Sequence, residues 1–311
     1  MKVAILGAGG VGSYYGGLLA RAGHTVVLLA RGPNLAALKE HGLEIRTPEG
    51  TFTVAVETTH DALEIGTADL AVVAVKSYSL AEITPAVRRV AEAGAVVVPL
   101  LNGVEAAGRL IEGGVPSALV LGGLTQISAA RIAPGVVERR STFQRVVVGE
   151  IAGGGSDRAD RIAATFRAAG AGAEVSFDIT ADLWRKFAFI ASMAAACGLA
   201  RSAIGPVLSS GLGHLLVERA VREVFAVARA RKVILSNDEE SKVLSFIDSL
   251  PGGLKPSFLL DLESGGPTEI DDLCGAVSRL GRQARVDTPV HDTATAALSV
   301  AARAGGAPSP R

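Results

Sequence analysis

Cysteine is nearly absent from this chain: Cys197 and Cys274 are the only two in 311 residues, and both sit in apolar surroundings. Neither falls in a metal-ligand spacing, and together they make no disulfide framework, so no metal site is expected. Net charge is missing as well, with 31 Lys and Arg balancing 31 Asp and Glu. That balance gives no basic surface for nucleic acid or an anionic membrane. No apolar run is long enough to span a bilayer. The longest, Phe187–Ala200, has about fourteen residues and contains Gly198, against the ~20 that a spanning helix needs. It suits a buried core helix. A strand pattern begins at residue 2, so no signal peptide is expected. The default expectation is a soluble, cytoplasmic protein with neither nucleic acid nor membrane as partner.

Glycine is plentiful, at 37 of 311 residues or about 12%, against a usual ~7%. Such a chain makes many short turns. With 49% apolar residues it has material for two cores, and its length predicts about two domains.

The first thirty-one residues organise the rest. Lys2–Leu6 is an apolar run that reads as a buried parallel strand. Gly7-Ala8-Gly9-Gly10-Val11-Gly12 follows at once and matches G-x-G-x-x-G. Ser13–Ala22 reads as a helix and Thr25–Leu29 as a second strand. Strand, glycine turn, helix and strand within about thirty residues is the setting in which this fingerprint marks a dinucleotide site. Gly7 permits the tight turn, Gly9 lets the backbone approach a pyrophosphate, and Gly12 lets helix and strand pack closely. The helix N-terminus offers N–H groups and partial positive charge to phosphates.

A second absence selects the cofactor. NAD-type sites usually carry Asp or Glu about 20 residues beyond the glycines, where it bonds the ribose 2′-OH. Here the second strand ends in Leu28-Leu29-Ala30-Arg31, with no carboxylate. Arg31 offers a planar donor fork suited to a 2′-phosphate. NADPH/NADP+ is therefore the expected cofactor, unless Arg31 is only a solvated loop arginine.

Further along, Asn34 can cap a helix that ends at His41. Leu43–Thr47 and Phe52–Val56 flank a hairpin turn at Pro48-Glu49-Gly50. Asp69–Val75 and Ala95–Leu101 read as buried strands ending at Lys76 and Asn102. Ligands of open α/β sheets bind outside the carboxyl ends of the strands. Lys76 and Asn102 are therefore candidates for the ribose or nicotinamide edge, with ordinary loop polarity as the alternative. Strands are also expected over 118–124, 126–131 and 136–140, and Arg145–Gly149 should extend the sheet. A helix over 157–169 and a last strand over 173–177 follow. From Ile179 onward the patterns are helical, over 179–201, 207–231, 239–250, 257–263, 268–282 and 291–303, with a frayed tail at Gly305–Arg311. The expected fold is an α/β N-terminal Rossmann-type dinucleotide-binding domain over 1–177, followed by an all-α C-terminal domain over 178–311.

The chemistry is harder to place. Lys186 lies on an apolar helix with Trp184, Phe187, Phe189, Ile190, Met193 and Cys197. It either snorkels, with Asp182 four residues earlier as an ion-pair partner, or sits in a polar cavity where burial lowers its pKa and makes it a proton donor. Thr268 can cap the helix it precedes. Glu269 would then lie in the first turn, where the helix dipole alone accounts for it. Ser257 is a plain helix start.

These pieces, taken in order, resemble the ketopantoate reductase family (2-dehydropantoate 2-reductases) over nearly the whole chain. The matching residues are the glycine run 7–12, Lys76 at a strand end, Leu101-Asn102-Gly103, Leu183-Trp184-Arg185-Lys186, and Pro256-Ser257 followed by Thr268-Glu269-Ile270. The resemblance implies an NADP-dependent oxidoreductase that reduces a 2-oxo acid to a 2-hydroxy acid, with ketopantoate to pantoate, in pantothenate biosynthesis, as the leading reaction. It implies that Lys186 is the catalytic acid and contacts substrate. Asn102 and Lys76 would sit by nicotinamide and ribose, with Asn102 also touching substrate. Ser257 would bind the substrate carboxylate, and Glu269 would act in catalysis while facing the cofactor. The partner is then a small-molecule 2-oxo acid, and the resemblance allows a homodimer.

One departure bears on substrate. The family usually carries asparagines four, eight and eighteen residues after the lysine, where they hold the substrate's hydroxyl and oxo groups. Here those positions are Ile190, Ala194 and Ile204. Ser192, Arg201 and Ser202 are the nearby polar residues that could take over. A more apolar 2-oxo acid is thus a second expectation, and a non-catalytic NADP(H) sensor a third. A sensor needs neither Lys186 nor Glu269.

Overall fold

The computed structural model describes residues 1–306, with side chains through residue 302. The expected tail lies from residue 307 onward outside the described residues. The chain forms two compact units. The first comprises Met1–Leu101 and Glu105–Thr180; the second comprises Asn102–Val104 and everything from Ala181. The three-residue excursion at 102–104 has no composition signal.

In the first unit, β1 (Lys2–Leu6), α1 (Gly10–Arg21) and β2 (Thr25–Leu29) form the opening strand–helix–strand unit. The helix starts at Gly10, three residues before the apolar pattern, because the last half of the glycine run is itself helical. Then come α2 (Gly32–His41), β3 (Leu43–Thr47), β4 (Gly50–Val54), β5 (Glu57–Thr59), β6 (Leu70–Val73), α3 (Leu80–Glu92) and β7 (Val96–Pro99). Five strands build a parallel sheet in the order β5-β2-β1-β6-β7. Val3–Leu6 and Leu70–Val73 are fully buried, as expected of strands covered on both faces. Register aligns the strand ends: Leu6 pairs with Leu29 and with Val73, and Val73 with Pro99. The turns after β1, β2 and β6 therefore emerge along one edge.

The remaining strands do not extend that sheet. After α4 (Ala106–Glu112) come β8 (Gly122–Gln126), β9 (Ala129–Ala133), β10 (Val136–Arg139) and β11 (Arg145–Gly149), then α5 (Asp157–Ala168) and β12 (Gly172–Val175). One separate sheet runs β4-β3-β10-β9, another β12-β11-β8. Arg145–Gly149 thus does not join the main sheet, as its pattern predicts, but pairs antiparallel with β8 and parallel with β12. Residues 118–119 belong to a 3-10 turn, so the strand predicted there starts only at Gly122.

The second unit is helical: α6 (Ile179–Ala200), α7 (Ile204–Ser209), α8 (Gly211–Ala230), α9 (Glu239–Asp248), α10 (Ser257–Glu263), α11 (Cys274–Ala284) and α12 (Pro289–Gly306). Its core gathers Phe187, Met193, Val221, Phe225, Leu259 and Val277. By length and composition α6 could cross a membrane, with a mean hydropathy of 1.2, but 61% of that stretch is buried inside the protein. It is a core helix. The single helix predicted over 207–231 is broken at Ser210, whose side chain accepts from the Gly213 N–H and caps α8. The Glu223 carboxylate on α8 accepts from the Val290 N–H at 2.8 Å, the His291 N–H at 3.1 Å and His291 Nδ1 at 2.7 Å. It thereby satisfies the opening turn of α12, where backbone donors have no helical partner.

Candidate active site

The glycine turn is built by steric necessity at three positions and by none at a fourth. Gly7 has φ +121°, a conformation natural to glycine. A Cβ on Gly12 would lie 2.1 Å from the Gly7 carbonyl oxygen, and one on Gly10 would lie 2.3 Å from the Ala129 oxygen. Gly9 differs. Its φ of −87° suits any residue, and a Cβ there would meet nothing nearer than the Ala74 oxygen at 4.0 Å. The fold itself does not require glycine at 9; a group lying against that backbone would. No side chain caps α1 and its first turn carries no acid, which leaves the helix dipole to an anion. Together these features fit a dinucleotide pyrophosphate over residues 7–12, with Ala8 and Val11 in the same turn.

Asn34 has a different role from the one expected. The N-cap of α2 is Arg31, and the Pro33 ring lies in the first turn. Asn34 is buried, donates to the Ala8 carbonyl at 3.3 Å and accepts from the Gly135 N–H at 2.9 Å. Arg131 donates to the same Ala8 oxygen at 3.5 Å. The glycine turn is therefore held from outside by residues 26 and 123 positions away, which no local pattern reveals. Arg31 does stand at the end of β2, and its guanidinium pairs with Glu82 in the first turn of α3. Lys76 is half-buried and precedes a 3-10 turn over Ser77–Ser79 beyond β6.

The second unit brings three of the predicted residues together. Lys186 Nζ donates to Asn102 Oδ1 at 3.1 Å, and Asn102 Nδ2 donates to Glu269 Oε2 at 3.2 Å. An ammonium only donates and a carboxylate only accepts, so an amide, with one group of each kind, can link them in series. Burial pulls the Lys186 pKa down from its ordinary value to about 8, while the Glu269 charge works in the opposite sense. The snorkelling alternative fails: Asp182 accepts from Arg185 at 2.6 Å, and Lys186 turns to Asn102 instead.

The surroundings of Glu269 correct the sequence reading. The helix expected from Thr268 begins only at Cys274, so Thr268 is no cap and Glu269 lies in no helical first turn. The Glu269 carbonyl instead accepts from the Asp272 and Leu273 N–H groups in a tight turn that buries Ile270 and Leu273. Glu269 is 4% exposed, too enclosed for a helix-dipole residue on the surface. Gly103, with φ +94°, turns the chain directly after Asn102, and a Cβ there would press on the Asp272 oxygen at 3.3 Å.

Ser257 is exposed at the first position of α10, and the structure does not join it to the Lys186–Asn102–Glu269 series. Of the three apolar departures, Ala194 and Ile204 are fully buried, and Ile190 packs half-buried against the same core one turn beyond Lys186. Ser192 is also fully enclosed, its hydroxyl without a partner among the described residues. Arg201 is exposed and Ser202 half-buried.

Comparison with known proteins covers both units. The family profile described as "Ketopantoate reductase PanE/ApbA" matches residues 3–153, and "Ketopantoate reductase PanE/ApbA C terminal" matches 178–302. A 2-dehydropantoate 2-reductase of Halobacterium salinarum is 33% identical over 307 residues, covering 98% of this chain and 100% of that one. The crystal structure of a PanE/ApbA family ketopantoate reductase from Ralstonia eutropha JMP134 superimposes with a TM-score of 0.89 at 29% identity, covering 99% of this chain and 100% of that one. The ternary structure of D-mandelate dehydrogenase with NADH and anilino(oxo)acetate gives the same TM-score at 25% identity, with 99% and 100% covered. This chain belongs to the ketopantoate reductase family of NAD(P)-dependent oxidoreductases.

Proposed function

We propose that the protein is an NADPH-dependent reductase of 2-oxo acids, with ketopantoate, reduced to pantoate for pantothenate biosynthesis, as the leading substrate. The observation that carries this reading is the series Lys186–Asn102–Glu269, a lysine of lowered pKa held in place by an amide and a buried carboxylate. When bound, the cofactor supplies a hydride to the carbonyl carbon of the oxo acid. Negative charge then builds on the carbonyl oxygen, and Lys186 neutralises it by donating a proton from Nζ. A pKa of about 8 suits a proton donor: the ammonium is largely protonated at neutral pH yet gives up its proton readily. Asn102 fixes the direction of Nζ by accepting from one of its N–H groups. Glu269 fixes Asn102 by accepting from its amide, and its charge keeps Lys186 protonated. Ser257 takes the substrate carboxylate in this reading. Arg31, with its planar fork, favours the 2′-phosphate and hence NADPH.

A second substrate reading rests on Ile190. One turn beyond Lys186 on the same helix face, it offers no hydrogen bond to a hydroxylated chain, which favours a more apolar 2-oxo acid. A screen of 2-oxo acids with NADPH and NADH, followed by nicotinamide absorbance, tests both readings. Selective turnover of ketopantoate supports the first, and preference for branched or aromatic 2-oxo acids the second. Tight nucleotide binding with no turnover of any acid would replace both by a sensor.

A further inference from the structure

The sequence shows no carboxylate at the end of the second strand, but the fold brings one there. In the parallel sheet β1 lies between β2 and β6. Arg31 follows β2, and Glu82 lies in the first turn of α3, which follows β6. The two side chains meet in an ion pair. That pair joins the segments on either side of the strand that carries the glycine turn. A dinucleotide seated on the glycine turn with its ribose at the end of β2 meets Arg31 and Glu82 together.

We propose that Glu82 is a cofactor-specificity residue: it supplies from α3 the carboxylate that accepts the ribose 2′-OH of NADH, and it competes with the 2′-phosphate of NADPH for Arg31. The protein therefore binds both cofactors, with a narrower preference than Arg31 alone would set. This rests on the reading that Arg31 meets the 2′-position. The chemistry of the two ligands differs in sign. A 2′-hydroxyl donates to the carboxylate and leaves the ion pair in place. A 2′-phosphate must draw Arg31 away from Glu82 and then lies beside a like charge. Both side chains are exposed, at 66% and 63%, so the pair opens at small cost. The expected effects are modest, since exposed ion pairs change equilibria by roughly 1.5- to 5-fold.

The test is isothermal titration calorimetry of the full chain with NADPH and with NADH, for the wild type, Glu82→Ala and Arg31→Ala. Circular dichroism confirms that each variant is folded. Glu82→Ala should tighten NADPH by about threefold and weaken NADH by about threefold, so that the ratio of the two affinities moves roughly tenfold. Arg31→Ala should weaken NADPH alone. If Glu82→Ala leaves NADH unchanged, or moves both cofactors in the same direction, the proposal for Glu82 is overturned. If Arg31→Ala leaves NADPH unchanged, the placement of Arg31 at the 2′-phosphate falls instead, and with it the competition.

Discussion

Replacing Glu269 by Gln removes the charge that holds Lys186 protonated while keeping an oxygen to accept from Asn102. The size of the effect follows from the geometry. The two charges are separated by one amide group and two hydrogen bonds of 3.1 and 3.2 Å. At an effective dielectric near 20, unit charges at such a separation interact by roughly 2 kcal/mol. Lys186 is half-buried, and solvent screening reduces that to about 1 kcal/mol, a little under one pH unit. The sign is fixed by the direction of coupling: Glu269 raises the Lys186 pKa, and burial lowers it to about 8. If Lys186 is the proton donor it must be an ammonium, so in the wild type kcat should fall as pH rises through about 8. In Glu269→Gln that alkaline limb should move to lower pH by about 0.7 of a unit. Near the wild-type midpoint the loss beyond any change in plateau would then be about threefold. The assay is kcat against pH with the best 2-oxo acid, using nicotinamide deuterated at C4 to confirm that hydride transfer limits the rate. Plateau height is free to drop, because Glu269 is expected to touch cofactor; the position of the limb is the readout. A limb that stays in place, or moves to higher pH, would refute the coupling between Glu269 and Lys186.

Other outcomes follow from the same structure. Lys186→Ala should lower kcat by about 10²–10⁴-fold and abolish the alkaline limb, with NADPH binding retained in calorimetry; near wild-type kcat would remove Lys186 from catalysis. Gly9→Ala should leave the melting temperature little changed, since the new Cβ meets nothing nearer than 4.0 Å, yet weaken NADPH by at least about tenfold. Gly12→Ala should instead cost several kcal/mol of stability, on the order expected of overpacking against backbone, and thermal melts separate the two. Glu223→Ala leaves His291 and the start of α12 without their acceptor, so it should destabilise the fold by about 3 kcal/mol while the NADPH Kd stays put. Ile190→Asn should raise kcat/KM for ketopantoate relative to an unbranched apolar 2-oxo acid by roughly tenfold. Asparagine at the fully buried Ala194 or Ile204 should mainly cost stability, which thermal melts of those two variants would show.

Local order is legible where it is written in contiguous residues. The glycine run, the strands on either side and the change to helical periodicity near 179 each occupy one stretch of chain. Steric and hydrophobic patterning act there within a few residues. Hence α5, α6 and α10 fall within about one residue of the bounds their patterns predict. Differences arise where a tertiary contact outranks local pattern. Thr268–Leu273 has helical spacing, yet burial of Ile270 and Leu273 makes it a turn. Arg145–Gly149 has strand composition, which says nothing about which sheet it joins.

The chemical groups divide in the same way. Sequence by itself determined that a glycine turn between strand and helix stands at 7–12 and that a lysine is embedded in an apolar helix at 186, because both are features of adjacent residues. Tertiary structure decided what those residues meet. It set Asn102 between Lys186 and Glu269, across separations of 84 and 167 residues. It gave Asn34 to the Ala8 carbonyl instead of a helix cap. It also supplied Glu82 to Arg31, at the strand end where the sequence shows no acid. Hydrogen bonds and charge pairs act over a few ångströms of space, and only the folded chain brings such distant positions that close.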